Sequence, residues 1–339
     1  MTRVLLTGGS GFIAAHTLDV LLKNGHSVVT TVRSQDKIDR IKKIYPDVGK
    51  DKLDFAIVPD IAVEGAFDEA VVSTPPFEVV LHTASPFHFN VTDIQKQLID
   101  PAVIGTTGIL RAIKKNAPTI KHVVITSSFA AIINPEKMAW PGHTYSEADW
   151  NPMTLDDIKG SVSLGYRASK TFAEKAAWKY VEDEKPGFTL STVNPPMVFG
   201  PIIHQLQDLD NLNTSNQRIR DAALGKFKDE IPDSGVTLWV DVRDVAKAHV
   251  AAFEKPEAVG KRFFTTQGTY NNKQICQIIR KHFPQYKDLP TESTPGGDYG
   301  EAGPFTADNS RSIEVLGLKY IPLEQSIVDC VKSLQSVGL

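Results

Sequence analysis

The sequence predicts an α/β protein built on a doubly wound parallel sheet, with a smaller lobe appended towards the C-terminus. Three observations lead there. Short β-branched runs alternate with helical patterns through the first two thirds of the chain. A glycine-rich segment follows the first of these runs and leads straight into a helix. At 339 residues the chain exceeds the usual size of a single core, so a second lobe and a cleft between the two are expected.

The predicted strands are Val4 to Thr7, Ser27 to Val32, Phe55 to Val58, Val79 to Thr83, Val123 to Ser127 and Leu190 to Asn194. Each is a short run rich in Val, Ile and Thr, as strands covered on both faces require. Between them, apolar residues recur at helical spacing over Ile13 to Lys23, Gln95 to Lys115 and Arg167 to Glu184. Gly25 stops the first of these helices. Beyond Pro195 the rhythm breaks into a polar, amide-rich stretch, 201–234, whose one amphipathic segment is Gln217 to Gly225. Val236 to Glu254 resumes as strand then helix, and Ile275 to Phe283 and Leu323 to Leu334 supply later helices. Leu289 to Phe305, rich in Pro, Gly and acidic residues, reads as a mobile surface loop. The expected division is a Rossmann-type dinucleotide-binding domain over 1–194, which also receives 236–254, and a smaller substrate lobe from 195–235 and 255–339.

The glycine-rich turn is Thr7-Gly8-Gly9-Ser10-Gly11-Phe12-Ile13-Ala14. Small residues let the backbone turn sharply and admit a phosphate, whose charge the free N–H groups and positive end of the following helix stabilise. Thr7, Gly8, Ser10, Gly11, Phe12 and Ile13 are therefore candidate cofactor residues. The second strand ends at Arg33, where an enzyme selective for NAD carries an acid for the ribose 2′-hydroxyl. A cation there, with Lys37 one turn later, suits a 2′-phosphate, so the expected cofactor is NADPH. Asp60 and Ile61, after the third strand, are placed to cover the adenine.

Tyr166 and Lys170 are four apart in a helical pattern, which puts both side chains on one face. A phenol is a poor acid near neutrality, and an adjacent positive charge stabilises its phenolate. Thr126-Ser127-Ser128 brings hydroxyls to the carboxyl edge of the sheet, where open α/β folds bind ligands, and Ser128 is placed to orient a carbonyl. Ser127 is expected to cap a helix or pack. No G-x-S-x-G elbow surrounds either serine, which argues against a hydrolase.

Together with His82-Thr83-Ala84-Ser85-Pro86 and Asn194-Pro195-Pro196, these segments resemble an extended short-chain dehydrogenase/reductase nearly end to end. Within that superfamily the chain is most similar to the fungal NADPH-dependent methylglyoxal and aldehyde reductases, near dihydroflavonol 4-reductase and cinnamoyl-CoA reductase. Three phrases carry this narrower likeness: 81–87, 172–178 and 241–249. The resemblance implies Tyr166 as general acid, Lys170 holding the nicotinamide ribose and lowering the Tyr166 pKa, and Ser128 binding the substrate oxygen. It also sets Thr83, Ala84 and Ser85 along the cofactor, with Pro195 and Met197 beside the nicotinamide. Two positions depart from the family pattern. Arg167 follows the tyrosine where small residues are frequent, and Met197 stands where related yeast reductases can carry Tyr, which bears on substrate scope.

Phe87, Phe89, Phe129, Met197 and Phe199 adjoin the motif residues and are candidates for an apolar pocket. Phe87, Phe129 and Met197 are the chosen substrate contacts, and the expected partner is a small carbonyl compound bearing an alkyl or aryl group. Two rival functions remain open: a nucleotide-sugar epimerase or dehydratase using Arg218 and Arg220 for a second diphosphate, and a non-catalytic NADP-binding sensor. Asp241, Arg243 and Asp244 read as an ion-pair network joining the lobes, and His82 as a satisfied core histidine. A formal charge of −3 gives no basic footprint for nucleic acid. No run approaches a membrane span, and two cysteines form neither a disulfide framework nor a metal cluster, so a cytoplasmic protein without metal is expected.

Overall fold

A computed structural model describes residues 1–85, 91–138, 140–203, 209–299 and 303–339. Its strands are β1 (Arg3–Thr7), β2 (Ser27–Val32), β3 (Leu53–Ile57), β4 (Val79–His82), β5 (His122–Thr126), β6 (Thr144–Tyr145), β7 (Thr189–Asn194), β8 (Met197–Phe199), β9 (Leu238–Asp241), β10 (Arg262–Phe264), β11 (Gly268–Thr269) and β12 (Thr306–Ala307). Its helices are α1 (Phe12–Lys23), α2 (Gln35–Ile44), α3 (Asp100–Asn116), α4 (Val162–Glu184), α5 (Thr214–Ala223), α6 (Val242–Glu254), α7 (Asn272–His282), α8 (Ser310–Glu314) and α9 (Leu323–Gln335).

Seven strands form one sheet in the order β10-β7-β5-β4-β1-β2-β3, with every pairing parallel. Successive side chains of a strand point to opposite faces. Val4 and Leu6 accordingly join Val28, Leu81 and Val124 on one face, while Leu5 joins Val29, Val80 and Val123 on the other. Leu18 of α1, Ile38 of α2 and Val245 of α6 cover the first face, and Ile109 of α3 and Ala177 of α4 the second. Burial on both faces is why the runs read as continuously apolar rather than alternating. The doubly wound Rossmann-type sheet is as expected, and the six predicted strands lie within two residues of the observed ones.

The differences have physical causes. α2 is not among the expected helices, because its apolar face is only Ile38, Ile41 and Ile44 in a mostly charged segment and just the first two are buried. α4 begins at Val162, so Tyr166 lies in its second turn instead of opening it; the Ser161 hydroxyl accepts from Leu164 N and caps the start. β10 falls inside the range assigned to the small lobe, 255–339, yet it pairs with β7 at the edge of the large sheet. A three-residue strand is too short to show a period. β9, in the 236–254 segment expected to join the large domain, lies instead in a separate small sheet where β8 pairs parallel and β11 antiparallel with it, and only α6 of that segment packs with α1. Ile219 of α5, Ile279 of α7 and Ile327 of α9 belong to the same core as α1.

The described part of 289–305 is irregular but anchored, which corrects the expectation of a loose loop. Leu289, Thr294 and Phe305 are buried, Ile231 N donates to Pro295 O at 2.9 Å, and Phe305 N donates to Thr237 Oγ1 at 3.1 Å. The Asp241, Arg243 and Asp244 network joins α6 to α9 and its approach. Arg243 grips Asp241 through Nε and Nη2, both at 2.8 Å, and reaches Asp329 at 2.7 Å, while Asp244 accepts from Ile321 N at 2.8 Å.

Candidate active site

β1 lies between β2 and β4, and the chain leaves these neighbours in opposite directions, so a crevice opens beyond their carboxyl ends. Thr7 is the junction. Its hydroxyl accepts from Ala84 N at 3.1 Å, and its carbonyl accepts from Thr83 Oγ1 at 2.5 Å. Gly8, at φ +77°, must be glycine twice over: the conformation is left-handed, and a Cβ would stand 2.9 Å from Ala84 Cα. Gly9, absent from the predicted site, is as constrained, because its Cβ would stand 2.0 Å from Thr30 Oγ1. Gly9 N donates to Thr31 O at 2.9 Å, which holds the turn against β2. Gly11 caps α1 without a side-chain acceptor, leaving the first-turn N–H groups for a ligand.

A cleft of about 680 Å³ starts at this turn, where Gly8, Gly11, Phe12 and Ile13 line it, and runs past Thr83 and Ser85 to Ser128, Tyr166, Lys170 and Pro195. Ser10 is half-buried beside it. Thr7, Ala84 and Met197 are likewise not among its lining residues, and Arg33, Lys37, Asp60 and Ile61 also stand outside it. Arg33 is exposed just past β2, with no side-chain partner among the described residues, and Lys37 is half-buried on α2. Asp60 caps its own loop by accepting from Ala62 N at 2.8 Å, and Ile61 packs at the inner face near Gly105.

Ser128 follows β5 in extended conformation, where its hydroxyl oxygen accepts from Ala130 N at 3.1 Å. That makes Ser128, not Ser127, the capping residue. The Tyr166 hydroxyl hydrogen-bonds the Ser128 side chain, and one turn further along α4 the Lys170 ammonium donates to Ser85 Oγ at 3.1 Å. Burial raises the Tyr166 pKa, opposed by the Ser128 hydrogen bond and the Arg167 charge. Burial likewise pushes Lys170 down to about 8, opposed by the charge of Glu174. Arg167, the departure noted in the sequence, turns away to place Nη1 at 3.0 Å from Met138 Sδ.

His82 is buried as expected, and Nδ1 pairs with Thr7 Oγ1 at 2.9 Å, but Nε2 has no partner among the described residues. Burial first, then the Lys170 charge, push its pKa down to about 3, so it is neutral at physiological pH.

The aromatic candidates divide. Phe129 does not reach the cleft: it is 2% exposed, stacked on Phe264 at 5.0 Å and edge-on to Tyr145 at 5.4 Å. Phe199 is likewise core, against Trp239 and Tyr270. Met197 is half-buried at the start of β8 and packs on the main core, outside the cleft lining. Pro86, Phe87 and Phe89 lie outside the described residues. The far wall comes instead from Pro196, Val198 and the amides of Asn211, Asn213 and Gln217. The amide-rich composition of 201–234 was the available signal for these, but nothing in it fixed which amides face inward.

A glycine-turn crevice that leads to a Ser, Tyr and Lys cluster defines a short-chain dehydrogenase/reductase of the extended kind. The sequence profile of the NAD dependent epimerase/dehydratase family matches residues 4–271, and the chain belongs to that family. It is 45% identical to the ketoreductase azaE of Aspergillus niger over 98% of this chain and 97% of that protein. It is 43% identical to a putative NADPH-dependent methylglyoxal reductase, GRP2, of Candida albicans, over 98% of both. Among solved structures, the yeast methylglyoxal/isovaleraldehyde reductase Gre2 complexed with NADPH superposes with a TM-score of 0.90 at 35% identity, covering 98% of each chain.

Proposed function

We propose that this protein is an NADPH-dependent carbonyl reductase that converts small aldehydes and ketones to alcohols of defined handedness. The observation that carries this reading is the Tyr166 hydroxyl held on Ser128, with the Lys170 ammonium one turn away, at the end of the cleft that begins at Gly8. The relatives reported above, an NADPH-dependent methylglyoxal reductase and a ketoreductase among them, support the same chemistry.

The residues present fit a dinucleotide. Gly8 and Gly9 leave no room for a side chain and bring bare backbone to the turn, and Gly11 leaves the α1 N-terminus uncapped for a pyrophosphate. Arg33, exposed and unengaged, and Lys37 supply cations for a 2′-phosphate; Asp60, with one carboxylate oxygen used by its loop, has the other for the adenine amino group. Thr83, Ala84, Ser85 and Pro195 are assigned to the nicotinamide end, whereas Met197, which packs on the core outside the cleft, is not. NADPH supplies the hydride that adds to the carbonyl carbon.

Ser128 Oγ accepts from Ala130 N, so its single proton, shared with Tyr166 here, can turn to the carbonyl oxygen when substrate binds and polarise it. Tyr166 then gives its phenolic proton to that oxygen as negative charge builds there. The phenolate left behind is costly in a buried site, and the Lys170 ammonium offsets that cost. Carbonyl, hydride and proton together make the alcohol.

The epimerase reading loses its support in the small lobe. Arg218 donates to Ser234 O and Asn272 Oδ1, and Arg220 to Asp221 Oδ1 and Leu209 O, so both guanidinium groups serve internal structure. We place the activity in the cytoplasm, a reading supported by two free buried cysteines. Among the described residues no helix is long and apolar enough to cross a membrane.

The test is consumption of NADPH and of NADH with methylglyoxal, isovaleraldehyde and aryl ketones. NADPH-selective turnover of any of them supports the reading. NADPH binding with no turnover across the panel would identify a sensor, and tight binding of a UDP-sugar an epimerase.

A further inference from the structure

Glu174 is four residues beyond Lys170 on α4, is 1% exposed, and faces donors from every neighbouring segment of the site. Oε2 accepts from Ser127 Oγ at 2.5 Å and from Asn194 Nδ2 at 2.7 Å. Oε1 accepts from Arg262 Nε at 2.7 Å and from Trp178 Nε1 at 3.2 Å. Ser127 precedes Ser128 at the end of β5. Asn194 precedes Pro195 at the end of β7, and its amide also donates to Ser128 O at 3.3 Å.

Arg262, from the edge strand β10, is the counter-charge and is itself fully engaged. Nη1 donates to Glu147 O at 2.8 Å and Asp149 O at 2.7 Å, and the guanidinium lies over Trp150 at 3.7 Å. A buried carboxylate is tolerated only when paired and hydrogen-bonded in this way. A simple packing role would be met by an apolar residue at lower cost, so so many converging donors need another reason.

We propose that Glu174 is the positioning residue of the active site: it ties the Ser128 strand end, the Tyr166–Lys170 turns and the Asn194–Pro195 strand end into one geometry. It touches neither substrate nor cofactor and acts through Ser127, Asn194 and Lys170. The proposal rests on the assignment of Tyr166 and Lys170 above. The charged and titratable groups around the Lys170 ammonium are Glu174 and Tyr166 on α4, His82 from β4, and Arg262 from β10 behind Glu174. His82 is neutral, so Glu174 is the one anion among them.

The test is Glu174→Gln in the full chain. Either orientation of the amide turns its NH2 towards donors that had faced a carboxylate oxygen, and the charge is gone. Lys170 is titrated directly by competitive acetic anhydride labelling and peptide mass spectrometry, without substrate or NADPH. Its apparent pKa, starting near about 8, is expected to fall by about one unit. The kcat with methylglyoxal, per NADPH-binding site, is expected to fall at least tenfold, with the NADPH Kd from fluorescence titration within twofold of the parent. A purely structural role predicts a lower Tm, but parent kcat per site and parent Lys170 titration, and that result overturns the proposal. If Glu174→Gln yields no folded protein, Ser127→Ala decides, since it removes one donor and leaves the Glu174–Arg262 pair. A kcat loss of about fivefold supports the proposal, and parent kcat overturns it. Tyr166→Phe is run alongside: parent turnover in that variant would sink the catalytic assignment itself, whatever Glu174 does.

Discussion

Gly9→Ala tests whether the glycine turn is shaped by steric necessity against β2. The new methyl would start 2.0 Å from Thr30 Oγ1, 2.9 Å from Cγ2 and 3.0 Å from Cβ, whereas ordinary contacts begin near 3.4 Å. Rotating Thr30 gives only partial relief, because Thr30 Cβ itself would stand 3.0 Å from the new methyl. Thr30 is fully buried, and its hydroxyl donates to Leu6 O at 2.9 Å, so a shift also breaks a buried hydrogen bond. Overpacking costs about 1–3 kcal/mol and the lost hydrogen bond about 1 kcal/mol, so a destabilisation of about 3 kcal/mol is expected. The turn moves with it, and NADPH affinity should fall about tenfold or more, each tenfold being about 1.4 kcal/mol. Thr30→Ala removes the two nearest atoms. The double variant should therefore recover at least about 1 kcal/mol relative to additivity in a urea-unfolding cycle, together with part of the NADPH affinity. A Gly9→Ala protein with parent stability and parent NADPH affinity, or a strictly additive double variant, would refute this account.

The same geometry makes three further predictions. Tyr166→Phe removes the hydroxyl that carries the transferable proton, so kcat should drop about 10²–10⁴-fold while NADPH affinity by fluorescence titration stays within twofold. Arg33→Asp places a like charge where the 2′-phosphate is assigned and should raise the NADPH KM about tenfold or more at low salt, with the NADH KM little changed; equal losses with both would make Arg33 structural. The ammonium is the protonated form of Lys170, so turnover supported by it should be complete below pH 7 and decline as pH rises through about 8. A kcat profile flat from pH 7 to 10 would remove Lys170 from that role.

The large sheet was legible because its strands are buried on both faces, which writes each as an unbroken β-branched run such as Ser27 to Val32. What escaped was whatever lacks that imprint. β10 is three residues long, and α2 buries two side chains in ten. The strand and helix of 236–254 were readable, but β8 and β11, which pair with β9 in the small lobe, are three and two residues long and show no period. Composition also misled: Pro, Gly and acidic residues in 289–305 suggested looseness, yet the backbone there is held by Ile231 and Thr237.

At the site, the readable part is that which chemistry restricts to one residue type at one spacing: Gly8 and Gly11, Ser128, and Tyr166 with Lys170. Phe129 shows the limit of reading by adjacency, since the residue next to Ser128 points into a cluster of Tyr145, Phe264 and Phe305 instead of the cleft. Glu174 and Arg262 show another limit. In sequence one is an ordinary acid in a charged helix and the other a basic residue opening a short strand, 88 positions apart. Only the parallel order β10-β7-β5 brings the guanidinium, the Asn194 amide and the Ser127 hydroxyl to one carboxylate. The groups that would perform proton transfer are thus set by local spacing, whereas the groups that hold them in register are set by the topology of the sheet. A variant at the second kind of position should alter catalysis without altering any residue that touches the substrate.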